Sequence, residues 1–135
     1  MRILLDTDVN LDFILQRQPF YVEAKEIFSR LVKGDFEASV CGITPLNIFY
    51  IAKKEYGNDK TRNEISKLLQ LVNVCVINQQ ILQNALSSKI KDYEDAVQNE
   101  SAIAENLDAI ITRNSKDFAN SSLKIYTPTE FLQSI

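Results

Sequence analysis

Short apolar runs alternate with amphipathic stretches along the chain, and this alternation predicts the order of its strands and helices. Runs of this length and composition are typical of buried strands. Five runs qualify, and they are RILL (residues 2–5), FEASVCGI (36–43), VNVCVI (72–77), DAIIT (108–112) and LKIYT (123–127).

The segments between these runs carry helix signals. A helix is predicted from about Thr7 to Leu15, and a second over residues 20–34, where apolar residues follow helical spacing and Gly34 provides a stop. Polar capping residues mark the other starts. These starts are Thr44 before Pro45, Asp59, Asn78, Asp92 before a helix from about Tyr93 to Asn106, and the capping box Thr127-Pro128-Thr129-Glu130.

Strands that alternate with helices predict a parallel sheet covered by helices, which is an α/β fold. No linker, repeat or low-complexity segment interrupts the pattern, so residues 1–135 are expected to form a single domain.

Acids and amides recur where strands of the predicted sheet end. Ligands of such sheets bind beyond the carboxyl ends of the strands. Four separate segments bring oxygen-bearing side chains to this edge, and their residues are Asp6, Asn47, Asp92 with Asp95, and Asn114 with Asp117. The joint placement favours a site that holds a cation.

Each residue also has a structural interpretation. Asp92 suits a helix N-cap, and Asp95 complements the helix dipole. Asn47, at the third position of its helix, could bond back to the cap. Asp12 lies one turn beyond Asp8 and is expected on a solvated face.

Composition narrows the chemistry. The chain has no His, which removes Ser-His-Asp and Cys-His catalysis and the usual zinc sites. Oxygen ligands alone suit Mg²⁺ or Mn²⁺, which can activate water against a phosphodiester. A net charge of −3 argues against a general coat for nucleic acid. Cys41 and Cys75 lie in apolar runs and are expected to be buried free thiols in a reducing cytoplasm. No run reaches the length of a membrane span.

Four stretches together resemble the PIN domain family, and its VapC-like toxin branch in particular. These stretches are LLDTDVNLDF, ITPLNIFYIAKK, KDYEDAVQNESAIAENLDAIITRNSKDF and IYTPTEFL. The resemblance implies a three-layer α/β fold with a mostly parallel sheet of about five strands. It also implies an Mg²⁺- or Mn²⁺-dependent ribonuclease, a homodimer and a cognate antitoxin. Carried over by motif, Asp6, Asp95 and Asp117 are the catalytic and metal-binding acids, with Thr112 and Asn114 supporting the pocket.

One position departs from the family pattern. The second acid, usually Glu, falls at Asn47, and we hypothesise that Asp8 restores the missing charge. Positively charged candidates for RNA binding are Arg113, Lys116, Lys53 and Lys54, with Arg113 favoured because it lies inside the TRN loop.

Three functions stay open at this level. The first is a metal-dependent endoribonuclease, and the second is a PIN-like protein that binds RNA or a partner without cutting, because Asn47 weakens the site. The third is a dehalogenase-type phosphatase, since Asp6-Thr7-Asp8-Val9 matches its D-x-D-x-[TV] pattern. The helix around LNIFYIA (46–52) is apolar almost all round, which favours deep burial over a contact with another chain.

Overall fold

The computed structural model describes residues 1–135. Its five strands are β1 (Arg2–Leu5), β2 (Glu37–Cys41), β3 (Asn73–Cys75), β4 (Ala109–Ile111) and β5 (Lys124–Tyr126). Its seven α-helices are α1 (Thr7–Ile14), α2 (Tyr21–Val32), α3 (Thr44–Tyr56), α4 (Asn58–Leu71), α5 (Gln79–Leu86), α6 (Tyr93–Ala104) and α7 (Pro128–Ser134). A short 3-10 helix (Ser115–Phe118) follows β4. The predicted order of strands and helices is confirmed.

The strands form one parallel sheet in the order β3-β2-β1-β4-β5, which confirms the predicted α/β class. The chain moves outward from β1 through β2 to β3, and then returns to the other side of β1 to add β4 and β5. Leu4 on β1 therefore lies opposite both Ser39 and Ile110. Because the order reverses at β1, a crevice is expected at the carboxyl ends of β1 and β4.

The central strand β1 is buried on both faces, as its unbroken apolar sequence predicts. Ile3 and Leu5 pack in the larger core, which lies against α1, α2, α3, α4 and α7. Leu4 points to the opposite face and packs in a smaller core with residues of α5 and α6. This alternation along one strand produces the three layers of the fold.

Local capping signals were accurate at three helices and wrong at Thr44, and Asp59 opens α4 within one residue of the prediction. Asn78, Asp92 and Thr127 each accept the expected backbone N–H, and Thr127 completes its capping box with Glu130. Thr44 is instead the first residue of α3, and its hydroxyl lies 2.9 Å from that of Thr7. This contact joins α3 to α1, because Thr44 and Thr7 are the first residues of these two helices. Asp59 lies inside the first turn of α4, which begins after Gly57.

The prediction of deep burial for residues 46–52 was wrong. Ile48 and Ala52 are fully buried, but Leu46 and Tyr50 are each 61% exposed and Ile51 is 40% exposed. Helix α3 packs against α1 and α4, so only one stripe of it enters the core. An apolar surface is left on its outer side.

Both cysteines are buried free thiols, as predicted. Burial raises the pKa of the Cys75 thiol to about 12, and a thiol that resists ionisation is a poor nucleophile. No helix combines the length and apolar character needed to cross a membrane.

Candidate active site

Asp6 lies at the carboxyl end of the central strand, in the crevice where the strand order reverses. Its backbone N–H donates to the carbonyl of Ile111 on β4 at 3.0 Å, so the β1–β4 pairing continues up to this residue. The Asp6 carboxylate is only 5% exposed. It accepts hydrogen bonds from Thr112 Oγ1 at 2.7 Å and Gln98 Nε2 at 3.0 Å. Burial raises the pKa of Asp6, and these two bonds oppose the shift.

Two buried amides near Asp6 were missed by sequence reasoning. Asn10 Nδ2 donates to the backbone carbonyls of Leu5 and Asp6, which fixes the turn from β1 into α1. Gln98 lies one helical turn after Asp95, and that spacing was the available signal. The side-chain oxygens of Asn10 and Gln98 are buried and have no hydrogen-bond partner. Such orphaned acceptors, on two side chains that bond to Asp6, suit water or another donor.

Helix α6 contributes two further carboxylates through Glu94 and Asp95. Asp92 caps this helix by accepting from the Asp95 N–H at 3.0 Å, which fixes the first turn. Burial first, and then the carboxylates of Asp6, Asp92, Asp117 and Glu94, together raise the pKa of Asp95 to about 7. The shift records both the partial burial of Asp95 and the negative charge around it.

Asn47 does not bond back to its own helix, so the capping interpretation of this residue was wrong. Its Nδ2 donates to Glu94 Oε1 at 2.8 Å. The Thr7 hydroxyl makes a longer bond of 3.4 Å to the same oxygen. Burial raises the pKa of Glu94, and the bond from Asn47 opposes this shift. Glu94 was missed by sequence reasoning, although it directly precedes Asp95.

The loop after β4 carries Thr112, Asn114 and Asp117. The Asn114 N–H donates to Thr112 Oγ1 at 3.1 Å, so one hydroxyl holds both the loop and the Asp6 carboxylate. The fully buried Phe118 anchors the 3-10 helix. Asp117 precedes it and is exposed at the rim of the pocket.

These elements enclose a pocket of about 390 Å³, which we call the acidic pocket. Six of its lining residues are carboxylates and none is Lys or Arg. The lining residues are Asp6, Thr7, Asp8, Asn47, Tyr50, Ile51, Asp92, Glu94, Asp95, Asn114 and Asp117. Such a concentration of like charge favours the binding of a cation.

The donor chemistry of the acidic pocket fits a hard divalent cation, since every candidate ligand is an oxygen. No three carboxylates form a ready-made metal site. This open arrangement suits Mg²⁺, because Mg²⁺ retains several of its waters and carboxylates can hold it directly or through those waters.

Comparison with protein families identifies the architecture around this pocket. The sequence profile described as "PIN domain" matches residues 2–116, which include every acidic-pocket residue except Asp117. The chain belongs to the PIN domain family. Comparison with curated proteins found no match.

Solved structures agree with this assignment of the PIN domain. VapBC2 from Rickettsia felis bound to promoter DNA has a TM-score of 0.71 at 15% identity, covering 94% of this chain and 98% of that one. A toxin–antitoxin complex from Klebsiella pneumoniae has a TM-score of 0.70 at 27% identity, covering 93% and 97%. VapC20 from Mycobacterium tuberculosis, a sarcin–ricin loop cleaving toxin, has a TM-score of 0.66 at 9% identity, covering 80% and 86%.

The prediction of a solvated face for Asp12 was wrong. Asp12 is 1% exposed, and Arg113 donates to it through Nε at 2.7 Å and through Nη2 at 3.3 Å. Arg17 lies 3.7 Å from the same carboxylate. The Arg113 guanidinium also lies 3.9 Å from the centre of the Phe20 ring. These contacts commit Arg113 to holding the loop of the PIN domain against α1.

The remaining sequence candidates lie around the rim. Asp8 lines the acidic pocket, is half-buried, and lies 3.8 Å from Arg17. Lys53 lies 4.9 Å from the centre of the ring of Tyr50, which is itself a lining residue. Lys54 is exposed near the end of α3, and Lys116 lines a neighbouring cleft.

Proposed function

We propose that this PIN domain is an Mg²⁺- or Mn²⁺-dependent endoribonuclease, the toxin of a toxin–antitoxin pair. The observation that carries the proposal is the acidic pocket at the carboxyl ends of β1 and β4, with six carboxylates and no cation among its lining residues. A neighbour that cleaves the sarcin–ricin loop of RNA supports the same chemistry. The match to the PIN domain family argues against the dehalogenase-type phosphatase considered from the sequence.

In this proposal Asp6, Asp95 and Asp117 hold the divalent ion, as the family motifs suggest. A bound ion would supply a nucleophilic water and stabilise charge on the leaving oxygen. Thr112 and Gln98 fix the Asp6 carboxylate through its two oxygens. Thr112 is therefore a positioning residue for Asp6. Asn114, whose N–H donates to the Thr112 hydroxyl, helps to position the loop that carries Asp117.

Glu94 provides the charge that Asn47 lacks. Its carboxylate lines the acidic pocket beside Asp6 and Asp95, and Asn47 holds one of its oxygens at 2.8 Å. We therefore assign Asn47 a positioning role and Glu94 the role of the fourth acid. Asp8 is less suited to that role, because its carboxylate lies 3.8 Å from Arg17, whose positive charge offsets it.

The second candidate function is a PIN domain that binds RNA or a partner without cutting. The absence of a ready-made three-carboxylate site favours it. The six carboxylates weigh against it, since a binding surface for RNA gains nothing from concentrated negative charge.

An antitoxin and a second copy of the chain are the proposed partners. The structural neighbours include a toxin–antitoxin complex and two VapBC complexes. One VapBC complex is bound to a promoter DNA fragment, and the other is described as DNA-bound. Leu46 and Tyr50 expose apolar surface on α3 beside the acidic pocket. Exposed apolar surface of this kind is common where another chain binds.

The test is cleavage of a structured RNA pool by the purified protein in Mn²⁺, Mg²⁺ or EDTA. Asp6→Asn and Asp95→Asn are measured beside the wild type, with folding checked by circular dichroism. We expect cleavage that needs the metal and is lost in both variants. Absence of cleavage by the folded wild type, with activity gained in Asn47→Glu, would favour the second candidate.

A further inference from the structure

A second cleft, of about 380 Å³, opens beside the acidic pocket. It lies between the α5–α6 connection and the 3-10 helix. Its lining residues are Lys89, Ile90, Lys91, Asp92, Asp95, Lys116, Asp117 and Asn120. We call it the lysine cleft, after Lys89, Lys91 and Lys116. Asp92, Asp95 and Asp117 line both cavities, so the two are continuous.

The three lysines of this cleft are uncommitted. All are exposed, and none forms an ion pair within 4.0 Å, although three carboxylates line the same cleft. Other cations near the site are engaged, since Arg17 and Arg113 both pair with Asp12. Exposed ammonium groups without partners can bind an incoming anion without breaking an existing contact.

The opposite flank of the acidic pocket lacks this property. A cleft there shares Asn114 with the acidic pocket and is lined by Phe20, Glu23 and Arg113 among others. Glu23 is negative, and Arg113 is held by Asp12 and stacked on Phe20. The two clefts are therefore unlike, and of the two only the lysine cleft carries positive charge that is free to bind phosphate.

The loop that carries two of these lysines has its own anchor. Ile90 between them is 5% exposed, and its N–H donates to Ser88 Oγ at 3.0 Å. Asn120 Nδ2 donates across the cleft to the carbonyl of Lys89 at 3.4 Å. None of these contacts uses a lysine ammonium, so the shape of the cleft does not depend on the lysine charges.

We propose that the lysine cleft binds the phosphate backbone of the RNA strand on one side of the bond to be cut. The inference rests on the proposed function and adds a location and a direction for the substrate. Phosphate neutralisation by Lys supplies most of the non-specific affinity for nucleic acid. The lining contains one hydrophobic residue, which disfavours a protein segment, because such segments bury apolar side chains.

The experiment compares the wild type with Lys89→Gln/Lys91→Gln/Lys116→Gln. The control is Lys25→Gln/Lys33→Gln/Lys60→Gln, which removes the same charge from α2, its C-terminal end and α4, outside both cavities. Binding of a fluorescein-labelled single-stranded uridine oligonucleotide is followed by anisotropy in EDTA over a salt series. Cleavage in Mn²⁺ is followed for the oligonucleotide and for a dinucleotide, which is too short to extend from the acidic pocket into the lysine cleft.

We expect the cleft variant to bind the oligonucleotide at least about tenfold more weakly than the wild type does. The slope of log affinity against log salt concentration should become shallower by about 2, because three lysines are removed and each phosphate contact on a single strand contributes about 0.7. Its KM for the oligonucleotide should rise while cleavage of the dinucleotide stays unchanged. The control should keep the affinity of the wild type.

Failure of this inference is distinguishable from failure of the proposed function. If the wild type cuts RNA and the cleft variant binds no more weakly than the control, RNA binding by the lysine cleft is overturned and the proposed nuclease function stands. If the wild type binds RNA through the three lysines but never cuts it, RNA binding by the cleft stands and the nuclease function is overturned. A labelled polyglutamate peptide that binds the wild type more tightly than the oligonucleotide does, and loses that binding in the cleft variant, would assign the lysines to an acidic protein segment and overturn the RNA assignment.

Discussion

Asn47 on α3 and Glu94 on α6, 47 positions apart in sequence, form a hydrogen bond of 2.8 Å across the mouth of the acidic pocket. The amide of Asn47 holds the Glu94 carboxylate in the lining of the acidic pocket. In the proposed function this carboxylate supplies the charge that Asn47 lacks.

Exchange of these two groups tests this relationship. We expect Glu94→Gln to lower Mn²⁺ affinity and RNA cleavage by about tenfold or more, a loss of roughly 1.4 kcal/mol. Asn47→Glu/Glu94→Gln should recover much of both, because the pair is reversed and the charge restored. Isothermal titration with Mn²⁺ and a cleavage assay provide the two measurements. Glu26→Gln, an exposed residue of α2 outside the acidic pocket, is the control. A double variant no better than Glu94→Gln would contradict the assigned roles.

Thr112 should stabilise the ionised form of Asp6. Thr112→Val removes the 2.7 Å bond to Oδ2 and leaves a buried oxygen without its donor. We expect a loss of about 1–3 kcal/mol in the free energy of unfolding, measured by urea denaturation near neutral pH. Thr112→Ser retains the hydroxyl and should lose much less. In an Asp6→Asn background the cost of Thr112→Val should shrink, and equal costs in both backgrounds would show that the bond does not matter.

Arg113 should matter more for stability than Arg17, although both pair with Asp12. Arg113→Gln leaves a nearly buried carboxylate with only the contact to Arg17 at 3.7 Å. We expect a loss of about 3 kcal/mol in the free energy of unfolding. Arg17 is more exposed and farther from Asp12, so Arg17→Gln should cost under about 1 kcal/mol. Chemical denaturation of both variants measures the difference, and similar losses would argue against the structural role of Arg113.

The pKa of Asp95 predicts how stability changes with pH. Since that pKa is raised from 3.8 to about 7, the folded state holds the proton more tightly than the unfolded state. The contribution of Asp95 to the free energy of unfolding therefore falls as pH rises between about 4 and 7, and is constant above that range. We expect Asp95→Asn to melt several degrees above the wild type at about pH 8, and the gap to narrow toward pH 4.

Thermal melts of the wild type, Asp95→Asn and the exposed Asp59→Asn check this pH dependence. Added Mn²⁺ should raise the melting temperature of the wild type at alkaline pH and narrow its gap to Asp95→Asn, because a cation relieves the repulsion. A gap that does not vary with pH would show that Asp95 ionises at the same pH in both states.

Much of the fold was predictable because local patterns and tertiary packing agree. The strand RILL is apolar throughout, and the sheet buries it on both faces. Asn78, Asp92 and Thr127 precede helices and cap them in the structure. The gathering of Asp6, Asp95, Asn114 and Asp117 around one pocket follows from the parallel sheet, which brings the carboxyl ends of its strands to one edge.

The errors concern residues whose partners lie far away in sequence. Asp12 is buried because Arg113, 101 positions away, neutralises it, and no local pattern encodes that partner. Asn47 has the spacing of a capping residue, yet Glu94 offers it a charged acceptor. The exposure of Leu46 and Tyr50 depends on which helices pack beside α3, and periodicity alone does not contain that information.

The position of β1 at the centre of the sheet means that the acidic pocket cannot form until later segments of the chain have been synthesised. The carboxylate of Asp6 is held by Thr112, 106 positions later. Strand β1 also needs β4 as its second neighbour. A nascent chain therefore carries Asp6 without its pocket until β4 and Thr112 have left the ribosome.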